Sequence, residues 1–261
     1  MENFNMDYIK TEIRKHVLLI ELNRNEKMNA FTFQMLQELA QAFTLLEENS
    51  ELRCGFLFSK GKHFSAGLDL VDVAVNIERG AALIGDDMVD PLQLMGRKRT
   101  KPVVMAVQGH ALTIAVELIL ANDICIAGRD TKFGQIEIKR GIFPFGGATI
   151  RFAQRCGWGN AMRYLLTGDS FDENEALRIG LVQEVSDKPY EAGLKIANTI
   201  AEQAPLGVQA TLISARKTFE QGYEAAKEDL LPQLHKLMSS RDAKEGVNSF
   251  VERRIAKFTG S

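Results

Sequence analysis

The pattern of apolar and polar positions along the chain predicts a mixed α/β protein whose character changes near residue 190. Tyr8-Ile9 and Val17-Leu18-Leu19-Ile20 are β-rich runs separated by a charged stretch, as in a hairpin. After Asn29, the positions Phe31, Met35, Leu39, Ala42, Phe43 and Leu46 recur at helical spacing. Cys54 to Phe58 then reads as a strand, Ala81 to Arg99 as a helix, Val103 to Val107 as a strand and Leu112 to Leu120 as a helix. Ile124-Cys125-Ile126 and Lys132-Phe133 read as short strands. No sequence repeat accompanies this strand-strand-helix rhythm, which implies a spiral stack of such units.

Beyond Leu181-Val182-Gln183-Glu184-Val185 the pattern is helical throughout. Segments Ala192 to Ala204, Leu206 to Glu220, Glu224 to Leu237 and Asp242 to Ile255 are separated by Pro205, Gly222 and Ser239-Ser240. The organisation expected is a core over residues 1–195 and a helical region over 196–261 that packs on a neighbouring subunit.

Composition narrows the classes. With 261 residues, 45% of them hydrophobic, the chain can bury a large core. Its 32 basic and 34 acidic residues nearly cancel, which argues against nucleic acid or a membrane surface as partner, so an anionic ligand must be met locally. No apolar run approaches the roughly 20 residues of a membrane span, and Met1-Glu2-Asn3-Phe4 does not open a signal or transit peptide, so a cytoplasmic protein is expected. Cys54, Cys125 and Cys156 are odd in number and widely spaced, the pattern of small core residues. His16, His63, His110 and His235 are scattered, so no metal site is expected, although His63 and His110 flank two glycine-containing loops. Trp158 is expected to anchor packing before a helix, and Ser170 with Glu173 or Asp172 with Glu175 to cap one.

Four segments carry chemistry. Gly61 to Leu70 (GKHFSAGLDL) follows a strand and is built of small residues, so a backbone amide there can approach a ligand closely. Gly109 to Leu118 (GHALTIAVEL) runs from a strand end into a helix, whose first amides, including that of Ile114, point out unpaired at the positive end of the helix dipole. Glu117 shares a helix face with Ile114 and has almost wholly apolar neighbours, which should raise its proton affinity; a solvent-facing or ion-paired carboxylate is the alternative. Phe133 to Ile138 places Glu137 in a loop among apolar residues, a pattern that by itself also suits a solvated loop charge, and Gly141 to Ala148 is a glycine-rich turn leading into a helix, by itself a structural turn.

Together these segments resemble the crotonase (enoyl-CoA hydratase/isomerase) superfamily. Phe64-Ser65-Ala66-Gly67-Leu68-Asp69, Gly109 to Glu117 and Phe133-Gly134-Gln135-Ile136-Glu137 are similar to its signature regions. Lys27-Met28-Asn29-Ala30 is similar to its coenzyme-binding turn, and Glu245-Gly246 through Arg254 to its C-terminal helix. The resemblance implies an α/β crotonase-like spiral with a C-terminal helical trimerisation region. It implies an acyl-coenzyme A thioester whose carbonyl lies between the amides of Leu68 and Ile114, an oxyanion hole. Glu117 would activate water and Glu137 protonate the carbon beside the carbonyl, hydrating a 2-enoyl-CoA of fatty-acid or related metabolism. Lys27, Met28, Ala66 and Leu70 would hold the coenzyme, with Arg253 reaching in from another subunit. No cofactor beyond the substrate's own coenzyme A is implied, and a homotrimer or dimer of trimers is.

Two departures from the family pattern matter. Thr113-Ile114-Ala115 stands where hydratases usually carry glycines, and Phe145 stands where a glycine amide usually helps hold the water, with Gly146 and Gly147 displaced. A double-bond isomerase, which needs chiefly Glu137, is therefore the runner-up, followed by a non-catalytic coenzyme A binder. A serine hydrolase rests only on His63-Phe64-Ser65-Ala66-Gly67, which nearly fits a nucleophile elbow. Ile77, Leu83, Met88 and Met95 are candidates to line the acyl pocket.

Overall fold

A computed structural model describes residues 6–82 and 84–261, apart from the side chain of Ile77. Leu83 and the Met1 to Phe4 opening thus lie outside the described residues. The chain opens with a hairpin, β1 (Ile9–Arg14) and β2 (Val17–Leu22), followed by α1 (Phe33–Glu48) and β3 (Cys54–Ser59). Next come α2 (Leu70–Glu78), β4 (Val103–Val107), β5 (His110–Leu112) and α3 (Ile114–Ala121). Then β6 (Ile124–Gly128), β7 (Lys132–Gly134), α4 (Ala148–Cys156), α5 (Trp158–Thr167), β8 (Ser170–Asp172), α6 (Glu173–Arg178) and β9 (Glu184–Ser186) follow. The chain finishes through α7 (Pro189–Ala201), α8 (Pro205–Gln221), α9 (Tyr223–Met238) and α10 (Arg241–Val251).

The main sheet has the order β1-β2-β3-β4-β6-β9, antiparallel at its first pair and parallel thereafter. A second sheet, β5-β7-β8, lies beside it. The chain alternates between them, β4 to β5 to α3 and then β6 to β7 to α4, which is the expected strand-strand-helix spiral. Strands β2, β3 and β4 are buried on both faces, as parallel strands with two covers must be. Leu18, Ile20, Leu57 and Met105 pack on the face shared with α1 and α3, and Val17, Leu19, Phe56 and Val104 on the face with Ala197 and Ala201 of α7.

Local signals explain the elements. The Thr32 hydroxyl caps α1 by accepting the Met35 amide at 3.1 Å, and Met35, Leu39, Ala42, Phe43 and Leu46 are fully buried one turn apart. Asp172 caps α6 through the Glu175 amide, and the three cysteines are buried free thiols.

Some expectations are corrected. Residues 84–99 form turns and bends rather than the expected helix over 81–99, and a helix lies earlier, at α2. The buried Asp90 carboxylate accepts the amides of Leu92, Leu94 and Met95 at 2.7–2.9 Å, a local arrangement that competes with helix, and Pro91 and Gly96 (φ +59°) punctuate the same stretch. Trp158 is 72% exposed on the first turn of α5 and anchors nothing within the chain. The boundary expected between residues 195 and 196 falls inside α7, which packs on β3, β4 and β6.

Candidate active site

Two loops leave neighbouring parallel strands and are bonded to each other in register. The Ser65 amide donates to the His110 carbonyl at 2.9 Å and the Leu112 amide to the Ser65 carbonyl at 3.1 Å, making a parallel bridge between Ser65 and Ala111. Leu68 and Ile114 each lie three residues beyond that bridge. Gly67 (φ +106°) takes a conformation L side chains avoid, and a Cβ there would collide with the Thr113 hydroxyl. Neither the Leu68 nor the Ile114 amide donates to an acceptor among the described residues. Ile114 opens α3, so its N–H stands at the positive helix end.

Thr113, the residue before, has φ 50° and ψ −113°, a conformation almost confined to glycine. Its surroundings over-determine it: its N–H donates to the Gly134 carbonyl at 2.8 Å, and its own carbonyl accepts the Val116 and Glu117 amides at 2.9 and 3.2 Å. Its hydroxyl is buried with no partner among the described residues. At the start of the seam, the His63 and His110 rings stack at 4.4 Å, and the His110 amide donates to His63 Nδ1 at 3.1 Å. Burial first, then His110 and Lys62, holds the His63 imidazole below its usual pKa.

Leu68 and Ile114 line a cavity whose wall also carries Glu117, Phe145 and Gly146. Its apolar walls come from Leu36 and Leu39 of α1, Val73 of α2, Leu92, Leu94 and Leu118. Met95 reaches it and Met88 does not. Glu117 is buried, and one of its oxygens accepts the Ala148 amide at the start of α4 at 3.2 Å. Desolvation lifts its pKa to about 7; the Ala148 and Gly146 amides oppose that rise, and nearby Glu137 adds to it. A Cβ on Gly146 would run into the Glu117 carboxylate, which is why glycine, displaced one place beyond Phe145, is required there.

Glu137 is not on that cavity wall. It opens a 3-10 turn, Glu137–Arg140, is buried, and is also raised to about 7 by desolvation. Gln135, fully buried, has its amide oriented to donate to both Glu137 oxygens at 3.0 and 3.2 Å and to the Thr113 carbonyl at 3.1 Å. One side chain thus ties the second carboxylate to the residue before the Ile114 amide. The sequence pattern by itself gives Gln135 no task; its one signal is a lone polar residue between Phe133-Gly134 and Ile136. Asp90 was also missed, although Asp-Pro is a turn signal.

The coenzyme turn is close by. The Ala66 amide donates to the Met28 carbonyl at 2.9 Å, which brings Lys27, Met28 and Ala66 together beside Leu70 at the head of α2. Arg24, bonded to Asp69 at 3.2 Å, fixes the same junction. Arg253 lies exposed on the turn after α10, and no contact among the described residues joins it to that turn. Ser65 is fully buried, its hydroxyl donating to the Asn29 carbonyl at 2.8 Å and accepting the Gly67 amide at 3.1 Å, and His63 Nδ1 is engaged elsewhere. A serine-hydrolase site is therefore not formed. The described residues hold no cluster of metal-ligating side chains and no helix long and apolar enough to cross a membrane.

Comparison with known proteins bears on the family and the fold. The sequence profile of the enoyl-CoA hydratase/isomerase family matches residues 12–261. Enoyl-CoA hydratase EchA19 of Mycobacterium tuberculosis is 34% identical over 254 residues, 95% of this chain and 94% of its own. The 2,3-dehydroadipyl-CoA hydratase of Escherichia coli is 30% identical over 95% of this chain and 96% of its own. The crystal structure of a probable enoyl-CoA hydratase/isomerase from Mycobacterium abscessus superposes with a TM-score of 0.95 and 46% identity, covering 98% of this chain and all of that one. With its spiral fold, bonded loops and near-complete match to the profile, the chain belongs to the enoyl-CoA hydratase/isomerase family.

Proposed function

We propose that the protein hydrates the 2,3 double bond of a 2-enoyl-CoA thioester. The observation that carries this reading is the pair of amides, Leu68 and Ile114, without acceptors, at matched positions on bonded loops, and lining a cavity with a buried glutamate. The two N–H groups bind the thioester oxygen and stabilise the enolate charge, each such donor being worth about 3 kcal/mol in the transition state. Water adds to C3 as Glu117 takes its proton, and Glu137 delivers a proton to C2, so the products are the 3-hydroxyacyl thioester and a carboxyl pair with its proton exchanged. Burial raises both carboxyls to about 7 and Glu137 further disfavours the charge of Glu117, so near neutrality each is partly protonated, and the reaction draws on the state with Glu117 ionised and Glu137 protonated. That state supplies one base and one acid.

Lys27, Met28, Ala66 and Leu70 hold the coenzyme in this reading, with Arg253 from an adjacent subunit, and no further cofactor takes part. A homotrimer, or two trimers paired, is supported by apolar side chains exposed on the last helices, among them Phe219 at 67% and Phe250 at 85%. Mass measured in solution tests it, and cell fractionation tests the cytoplasmic placement. Double-bond isomerisation is the second reading, favoured by Phe145 on the wall beside Glu117, where it occupies room a water would need. Loss of the conjugated-thioester absorbance of crotonyl-CoA decides: hydration removes it, and an isomerase leaves it. Glu137→Ala should abolish turnover under either reading, whereas Glu117→Ala should abolish hydration only.

A further inference from the structure

We infer that the acyl cavity selects acyl groups that are apolar to their end and rejects those ending in a carboxylate; this deepens the proposed function and rests on it for the cavity's role. Among the described residues the cavity wall is aliphatic apart from Phe145, Gly146 and two charged residues, and both of these are acidic: Glu117 and Asp90. Asp90 takes no part in the proposed chemistry and is 1% exposed. Its oxygens already accept three main-chain amides, those of Leu92, Leu94 and Met95, so it offers an acyl tail neither a donor nor a removable proton partner. No lysine, arginine or histidine among the described residues lines the cavity.

Arg151 is the cation that faces both acids electrostatically. Its guanidinium donates to the Leu92 carbonyl at 2.7 Å and the Gln93 carbonyl at 2.9 Å, and it lies against Gly147. It braces the 90–95 turn and is not on the cavity wall. A tail carboxylate entering the cavity would lose its hydration, meet no donor and lie in the field of one or two like charges. A methyl-ended tail of equal length would carry no charge to desolvate and would meet a wall that is mostly aliphatic carbon and the Phe145 ring. Specificity arises here from the absence of a partner rather than from a contact.

The test compares two six-carbon thioesters, 2-hexenoyl-CoA and 2,3-dehydroadipyl-CoA, in kcat/KM, and their saturated counterparts, hexanoyl-CoA and adipyl-CoA, in calorimetric binding. Preference for the methyl-ended member by about a hundredfold or more in either measurement supports the inference. A ratio within about threefold in both overturns it, as does failure of all four to bind. If the saturated pair discriminates while neither enoyl compound is hydrated, the specificity stands and the hydratase reading falls. Met95→Arg, a change at an exposed position (61%) on the cavity's rim, outside the buried core, should cut the binding preference about tenfold by supplying the missing cation. An unchanged preference in a folded Met95→Arg protein would show that charge at the wall is not what excludes the carboxylate.

Discussion

Residues 63–68 and 109–114 meet through main-chain hydrogen bonds at a fixed register, whereas residues 84–95 reach the same cavity with side chains carried on turns. The first region offers a ligand two backbone amides, and its side chains serve to set their separation. The second offers leucine, proline and methionine, held in place by one carboxylate that binds three amides. In the proposed reaction, chemistry that needs donors placed to within about 0.5 Å falls to backbone, and selection of the acyl group to replaceable side chains. Substitutions in the seam should act on turnover, and those in the wall on which thioester is used.

The largest combined effect on turnover and stability is expected at Gly67. Gly67→Ala puts a Cβ into the Thr113 hydroxyl at a φ of +106°, so hydration should fall by about 10²–10³-fold and stability by about 3 kcal/mol, read from crotonyl-CoA turnover and urea unfolding. Retained turnover would mean that the seam does not set the donors. Glu117→Gln should lower turnover by about 10²–10⁴-fold while the fold survives. Because the folded carboxyl is raised to about 7 from 4.5, its contribution to stability is full below about pH 4.5 and lost as pH rises through 7. The Gln variant should therefore be the more stable protein at pH 8, on the order of 2 kcal/mol, with the gap closing by pH 4.5. Turnover of the parent should be bell-shaped and centred near pH 7, since the two carboxyls act in opposite protonation states.

Thr113→Gly sharpens the comparison from the other side. Removing a branched side chain from φ 50°, ψ −113° and its unpartnered hydroxyl should raise stability by about 1–2 kcal/mol in urea unfolding, with hydration reduced only severalfold. The smallest effect concerns His63, whose Nδ1 must stay unprotonated to accept the His110 amide. Its pKa is lowered on folding from 6.5, so the stability it contributes is full above about pH 6.5 and is lost as pH falls through the folded value. His63→Asn should flatten the thermal-midpoint profile below pH 6.5 and leave it unchanged at pH 8.

Amino-acid order alone determined much of this protein. Period-3.6 and β-rich patterns located α1, β3, β4 and most of α3 and the final helices, because burial against a core imposes those periods locally. The motifs around Gly67, Glu117 and Glu137 were legible because close backbone approach and a carboxylate in an apolar run are both visible as residue types. The 81–99 stretch was not legible: its apolar spacing suits a helix, but Asp90 bonds to three amides that a helix would need, and that competition is decided by the side chain's burial. Only tertiary structure brought Ser65 into register with Ala111, aimed Gln135 at Glu137 and Thr113, and left Asp90 and Glu117 as the charges on the cavity wall. These relations join residues as distant in sequence as Ser65 and Ala111 or Gln135 and Thr113, or depend on which partners are absent, and neither property is written in local sequence.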